Sequence, residues 1–136
     1  MIRIGEDKTT IYITRGDTTT GELNKLAFCL PIYNGETQKE EYYEFKPTDK
    51  ISFVVFQKNG YTKNEILRKE YTLEDIGYKE NTTSPEILLT EEDTKKFPLL
   101  NKKATYWYDI CLNDTLTILG YDDEGSKKIV VYPEGE

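Results

Sequence analysis

Apolar and polar residues alternate along most of the chain in short runs that turn residues break at close intervals. This is the pattern of a sheet protein rather than of amphipathic helices. Thr10 to Thr14 predicts a short strand around Ile11, Tyr12 and Ile13, stopped at Arg15-Gly16-Asp17. From Thr20 to Tyr33 the alternate positions Leu26, Phe28, Leu30 and Ile32 share one face, and Asn34-Gly35 turns the chain. The polar stretch Glu36 to Glu41 reads as an exposed loop, and Tyr42-Tyr43-Glu44-Phe45 leads towards the next strand.

Lys50 to Lys58 is the clearest strand, with Ile51, Phe53 and Val55 on one face and Val54 and Phe56 on the other. Apolar residues on both faces predict a central position in the packing. Asn59-Gly60 follows as a hairpin turn, since a type I′ turn needs positive φ at both central positions. The return strand runs from Tyr61 to Tyr71. Two helical turns are expected: Leu73 to Ile76, behind Thr72 and closed by Gly77, and Glu91 to Phe97, behind Thr90 with Asp93 as capping-box acid. Between them Glu86-Ile87-Leu88-Leu89 reads as a compact apolar strand. Ala104 to Asn113 alternates well, with Tyr106, Tyr108, Ile110 and Leu112 on one face and Trp107, Asp109 and Cys111 on the other. Turns at Asn113-Asp114 and Asp122 to Gly125 lead into strands Thr115 to Tyr121 and Lys127 to Tyr132. The sum is one domain spanning 1–136, with about eight sequential and so mostly antiparallel strands.

Composition supports this class, because the chain has only two alanines while Thr, Ile and Tyr abound. The charge narrows function. A net charge of -7 disfavours nucleic acid and anionic lipid, which call for a basic face. No apolar run approaches the roughly 18 residues of a membrane span, and no basic leader with an apolar run opens the chain. The absence of histidine removes the commonest general base and metal ligand, so no enzyme, cofactor or metal is expected. No nucleophile motif is present, and a hydrolase built on carboxylates alone has no pair that spacing can locate.

Four features carry candidate chemistry. Cys29 and Cys111 both alternate away from the core face, so they are expected as free thiols. Arg15-Gly16-Asp17 spells an adhesive tripeptide but reads as ordinary turn chemistry. The acids Glu91-Glu92-Asp93 and Asp122-Asp123-Glu124 lack the alternating spacing of a calcium loop. The 11 tyrosines and one tryptophan are the most unusual feature. They suit sheet packing, a protein interface or a platform for sugar rings. Trp107 is the sharpest case: with Tyr106 and Tyr108 inward, it faces outward or lies under the 36–41 loop.

Three segments then resemble a known family. They are Ile11-Tyr12-Ile13-Thr14-Arg15-Gly16-Asp17-Thr18, Phe45 to Val55 (with Pro47-Thr48-Asp49 before Ile51-Ser52-Phe53), and Leu89-Thr90-Glu91-Glu92-Asp93-Thr94 followed by Tyr106-Trp107-Tyr108-Asp109-Ile110. Their order is similar to the N-terminal domain of phage baseplate upper proteins and related tail modules, over roughly residues 10 to 132. The polar loop at 36–41 is longer than in that pattern. The resemblance implies an all-β, immunoglobulin-like antiparallel β-sandwich with one or two short helical turns. It implies a non-enzymatic structural or adaptor module of a phage or prophage particle, made in the bacterial cytoplasm and incorporated in the virion. Its partners would be other phage structural proteins, further copies of itself among them. The interface candidates are Trp107, Tyr42, Tyr43 and Tyr61. The competing expectation is a carbohydrate-binding β-sandwich that uses exposed Tyr and Trp.

Overall fold

A computed structural model describes residues 1–19, 25–59, 62–99, 101–121 and 125–134, the side chains of Asn34 and Asn59 excepted. In chain order its strands are β1 (Ile2–Ile4), β2 (Ile11–Thr14), β3 (Pro31–Asn34), β4 (Lys39–Tyr42), β5 (Lys50–Asn59), β6 (Thr62–Thr72), β7 (Ala104–Leu112), β8 (Leu116–Leu119) and β9 (Lys128–Tyr132). A 3-10 turn, Leu73–Ile76, and a one-turn helix α1, Glu91–Thr94, complete the regular elements.

Strand β5 has the central place that its two apolar faces predict. It is flanked by β6 and β7, both antiparallel to it. The ladder with β6 runs from Lys50↔Thr72 to Asn59↔Thr62, so Asn59 is the last paired residue of its strand rather than a turn position. Gly60 and Tyr61 lie outside the described residues. The other edge of β7 is shared: β9 pairs along its first half and β8 along its second. Beyond β9 come β2, parallel to it, and then β1, antiparallel to β2. The order is therefore β1-β2-β9-β7-β5-β6 with β8 branching from β7, and β2–β9 is the one parallel pair among the described residues.

Alternation decides which face of this sheet is dry. Ile11 and Ile13, Ile51, Phe53 and Val55, Tyr106, Tyr108 and Ile110, and Ile129 and Val131 all bury towards one side. They meet Leu26, Phe28, Phe45, Leu73, Ile87, Leu89 and Phe97 in one cluster. These covering residues come mainly from extended segments joined by the isolated bridges Ala27↔Glu86 and Phe45↔Thr82. Further bonds tie the layer together, Ile87 N–H to the Leu26 carbonyl at 2.8 Å and Tyr43 N–H to that of Leu30 at 2.8 Å. One regular sheet faces one ragged layer, an all-β, sandwich-like fold. Each aliphatic or aromatic side chain so buried contributes about 1.5–3 kcal/mol.

Three expectations change. The 20–33 strand is regular only over Pro31–Asn34; Leu26 and Phe28 still bury and Leu30 half-buries, but Ile32 is exposed, and residues 20–24 lie outside those described. The 36–41 loop is partly strand β4, stabilised by its ladder with β3 despite its charges. The apolar strand at Glu86-Ile87-Leu88-Leu89 is an extended segment with one isolated bridge, Ala27↔Glu86, and hydroxyls take up backbone groups that a regular ladder would have paired. Leu89 N–H donates to Thr19 Oγ1 at 2.8 Å, Leu88 N–H to the Tyr71 hydroxyl at 3.1 Å, and that hydroxyl donates to the Glu86 carbonyl at 2.7 Å.

Both helical turns start behind the caps that were expected, though the second is helical only to Thr94 rather than to Phe97. Gly77, at φ 100°, ends the 3-10 turn in the left-handed region that glycine tolerates best. At α1 the Asp93 N–H donates to Thr90 Oγ1 at 3.2 Å while the Thr90 N–H donates to the Asp93 carboxylate at 2.9 Å. Lys69 completes the site, 2.9 Å from the same carboxylate. Burial opposes the charge of Asp93, but the Thr90 and Lys69 contacts prevail and hold its carboxyl below the ordinary range.

Candidate interface

The tyrosines divide into two populations. Tyr71, Tyr106 and Tyr108 are buried, and Tyr12, Tyr43, Tyr78 and Tyr132 are half-buried. Most of this first group spends its hydroxyl internally: Tyr108 on the Thr9 carbonyl, Tyr71 and Tyr78 on the 86–88 backbone, and Tyr43 on Asp49 at 3.0 Å. Burial pushes the Tyr71 and Tyr108 phenols well above their usual value. Tyr33, Tyr42 and Tyr121 form the second group, exposed by 71%, 59% and 79%.

Two of these exposed rings lie on the β3–β4 hairpin. Its register pairs Pro31 with Tyr42 and Tyr33 with Glu40, so all four side chains share one face. Ile32 and Glu41 pair on the other face. Every side chain described from Pro31 to Tyr42 is exposed, Ile32 by 42%. The hairpin is thus an arm that adds nothing to the core, with Pro31, Tyr33 and Tyr42 presented together to solvent.

The four sequence candidates separate. Tyr42 lies on the arm. Tyr43, one residue on, is turned into the body, its ring edge-on to Phe45 at 4.9 Å and its hydroxyl on Asp49. Burial opposes ionisation of Asp49, yet the Lys46 N–H, Asn113 and Tyr43 hold its carboxyl below the usual value. Tyr61 lies outside the described residues. Trp107 sits half-buried on the outer face of the sheet with Phe56 and Lys128 as cross-strand neighbours. The Lys58 ammonium lies 5.7 Å from its ring centre, 5.9 Å from that of Phe56 and 5.5 Å from that of Tyr121. Those are cation–π distances, and the ammonium also donates to Ser126 Oγ at 2.8 Å. Tyr33 and Ile32 were the residues that sequence reasoning missed; alternation assigned Ile32 to the core.

Other candidate chemistry is absorbed by structure. Arg15 donates to the Phe97 and Lys95 carbonyls at 2.8 and 2.9 Å and pairs with Glu134, and Asp17 pairs with the N-terminal ammonium. Arg15-Gly16-Asp17 thereby fastens the end of β2 to the α1 region, with Gly16 at φ 90°. Cys29 and Cys111 are free thiols, exposed and half-buried respectively. Among the described residues no cluster of three or more Cys, Asp or Glu could hold a metal ion. No helix among the described residues is long and apolar enough to cross a membrane.

The fold and this surface define an all-β, sandwich-like domain with a projecting aromatic arm. Compared with known proteins, the chain matches no family model, no curated protein and no solved structure.

Proposed function

We propose that this protein is a non-enzymatic adaptor that acts through protein–protein contacts, with the β3–β4 arm as the surface a partner covers. The observation that carries this reading is the arm itself. A two-stranded hairpin is marginal alone in water, and this one holds Pro31, Tyr33 and Tyr42 on one solvent-facing side. Tyr combines large apolar area with a polar tip, which suits a surface that is wet when free and dry when bound. The resemblance to baseplate modules supplies the setting: a phage or prophage tail, with other virion structural proteins as partners.

The test is capture of tail and baseplate proteins from purified phage particles by the immobilised chain. The Tyr33→Ser, Tyr42→Ser double variant should keep the wild-type melting temperature and lose roughly tenfold or more of the captured material, as removal of interface anchors does. Equal capture by wild type and variant removes the arm from the reading. A wild type that captures no virion protein but binds glycans through Tyr33, Tyr42 or Tyr121 replaces the adaptor with the carbohydrate-binding alternative.

A further inference from the structure

The outer face of the sheet holds a groove of about 330 Å³ across β5, β6 and β7. Ser52, Val54 and Phe56 of β5 and Cys111 of β7 form its floor. Lys63, Glu65 and Arg68 of β6, with Asp109 and Asp114, form its rim. We infer that this groove binds a small neutral polyhydroxylated ligand, of mono- or disaccharide size. The inference is independent of the adaptor reading, because it concerns another face and shares no residue with the arm.

Three observations lead there. The first is an orphan. Ser52 is 2% exposed, and its Oγ has no hydrogen-bond partner. The nearby Asp114 carboxylate feels a minor stabilisation from that hydroxyl, behind the leading effect of Lys50, but the pair falls outside hydrogen-bond geometry. Buried polar atoms are almost always paired, so an unpaired hydroxyl on a groove floor points to a polar group that enters the groove.

The second is the charge pattern. Arg68 is matched by Glu65 at 2.7 Å and Glu70 at 3.0 Å, Asp114 by Lys50 at 2.8 Å, and Asp109 by Lys63 at 3.8 Å. A charged ligand would strip one of these groups of its partner. A hydroxyl both donates and accepts, so it bonds to spare carboxylate lone pairs or ammonium hydrogens while the pairs stay intact. The third is shape. Val54 and Phe56 give the floor an apolar strip for the C–H face of a ring, and the volume lies at the small end for a ligand site.

The experiment is an amide chemical-shift titration of the full chain with glucose, N-acetylglucosamine and maltose, and separately with inorganic phosphate. At least one sugar should move amides around Ser52, Phe56, Arg68 and Cys111 and leave those of the arm in place. Ser52→Ala should weaken that binding several-fold without lowering the melting temperature, since the hydroxyl has no partner to lose. Arg68→Met, at an exposed position, serves as the second variant and should weaken binding likewise. In a Cys29→Ser background the bound sugar should slow alkylation of Cys111. The inference is overturned if no sugar moves these amides, if phosphate binds more tightly than every sugar, if the shifts centre on Trp107 and Tyr121, or if Ser52→Ala binds as wild type. It stands or falls without the arm: Tyr33→Ser, Tyr42→Ser should titrate as wild type here whatever its loss in capture.

Discussion

Two hairpins in this molecule are built from the same backbone ladder and meet opposite fates. β5–β6 buries Ile51, Phe53, Val55, Leu67 and Tyr71 in the core, although β6 is the edge strand of the sheet. β3–β4 has a full set of pairs from Pro31↔Tyr42 to Asn34↔Lys39, and its described side chains remain in water. Ladder hydrogen bonds replace bonds to water and leave a small net gain, whereas burial of apolar area drives folding. Stability is therefore concentrated in the first hairpin, and the second is left available for contact.

The largest effect should come from truncation in the first hairpin. Phe53→Ala should lower the unfolding free energy by about 3–5 kcal/mol in urea titration, and Tyr33→Ser should change it by no more than about 0.5 kcal/mol. Comparable losses would place the arm in the core and erase the contrast. Next in size is Asp93→Asn, which strips Lys69 of its partner and weakens the α1 cap; we expect a loss of about 2 kcal/mol. The carboxyls of Asp93 and Asp49 lie below the ordinary value in the folded chain, so the unfolded chain takes up protons first as pH falls. Their stabilisation is complete above the unfolded aspartate value of about 3.9 and is lost as pH drops through the folded values. Denaturation curves between neutral and acidic pH should show a shallower acid limb for Asp93→Asn than for wild type.

A smaller effect sharpens the boundary between arm and body. Tyr43→Phe removes a hydroxyl from Asp49 and should cost about 1 kcal/mol, while Tyr42→Phe, its neighbour on the arm, should leave stability unchanged. The smallest effect is kinetic. Titration of the denatured, unreduced protein should find two thiols, and in the native protein Cys29 should react before the half-buried Cys111.

Most of the body was legible in sequence because its periodicity is strong. β5, β7 and β9 emerged within a residue or so, and both capped turns from their threonines and Asp93. The free state of the cysteines was expected in part from their alternation away from the core face. The arm was legible only in part. Lys39-Glu40-Glu41-Tyr42 has no alternation to mark it, and β4 exists because β3 lies opposite. Strand β1 was missed because three residues are too few to show a period. The 86–89 segment misled because its apolar run looks like a strand, while a single bridge to Ala27 and the hydroxyls of Tyr71 and Thr19, distant in sequence, stand where a regular ladder would be. The groove escaped notice for a similar reason: Ser52 and Cys111 become neighbours only through the β5–β7 register.

The parallel contact between β2 and β9 has a mechanical consequence. Tension that enters the chain just before Ile11 and leaves just after Tyr132 pulls these two strands in opposite directions along their lengths. Their register, Ile11↔Ile129 to Thr14↔Tyr132, then carries the load as a shear across the whole ladder at once, where a hairpin opened from its ends would yield one pair at a time. Resistance to such a pull is set by the rate of rupture rather than by equilibrium stability. Under such a pull, this short ladder acts as the clamp that keeps the inner face of the sheet covered.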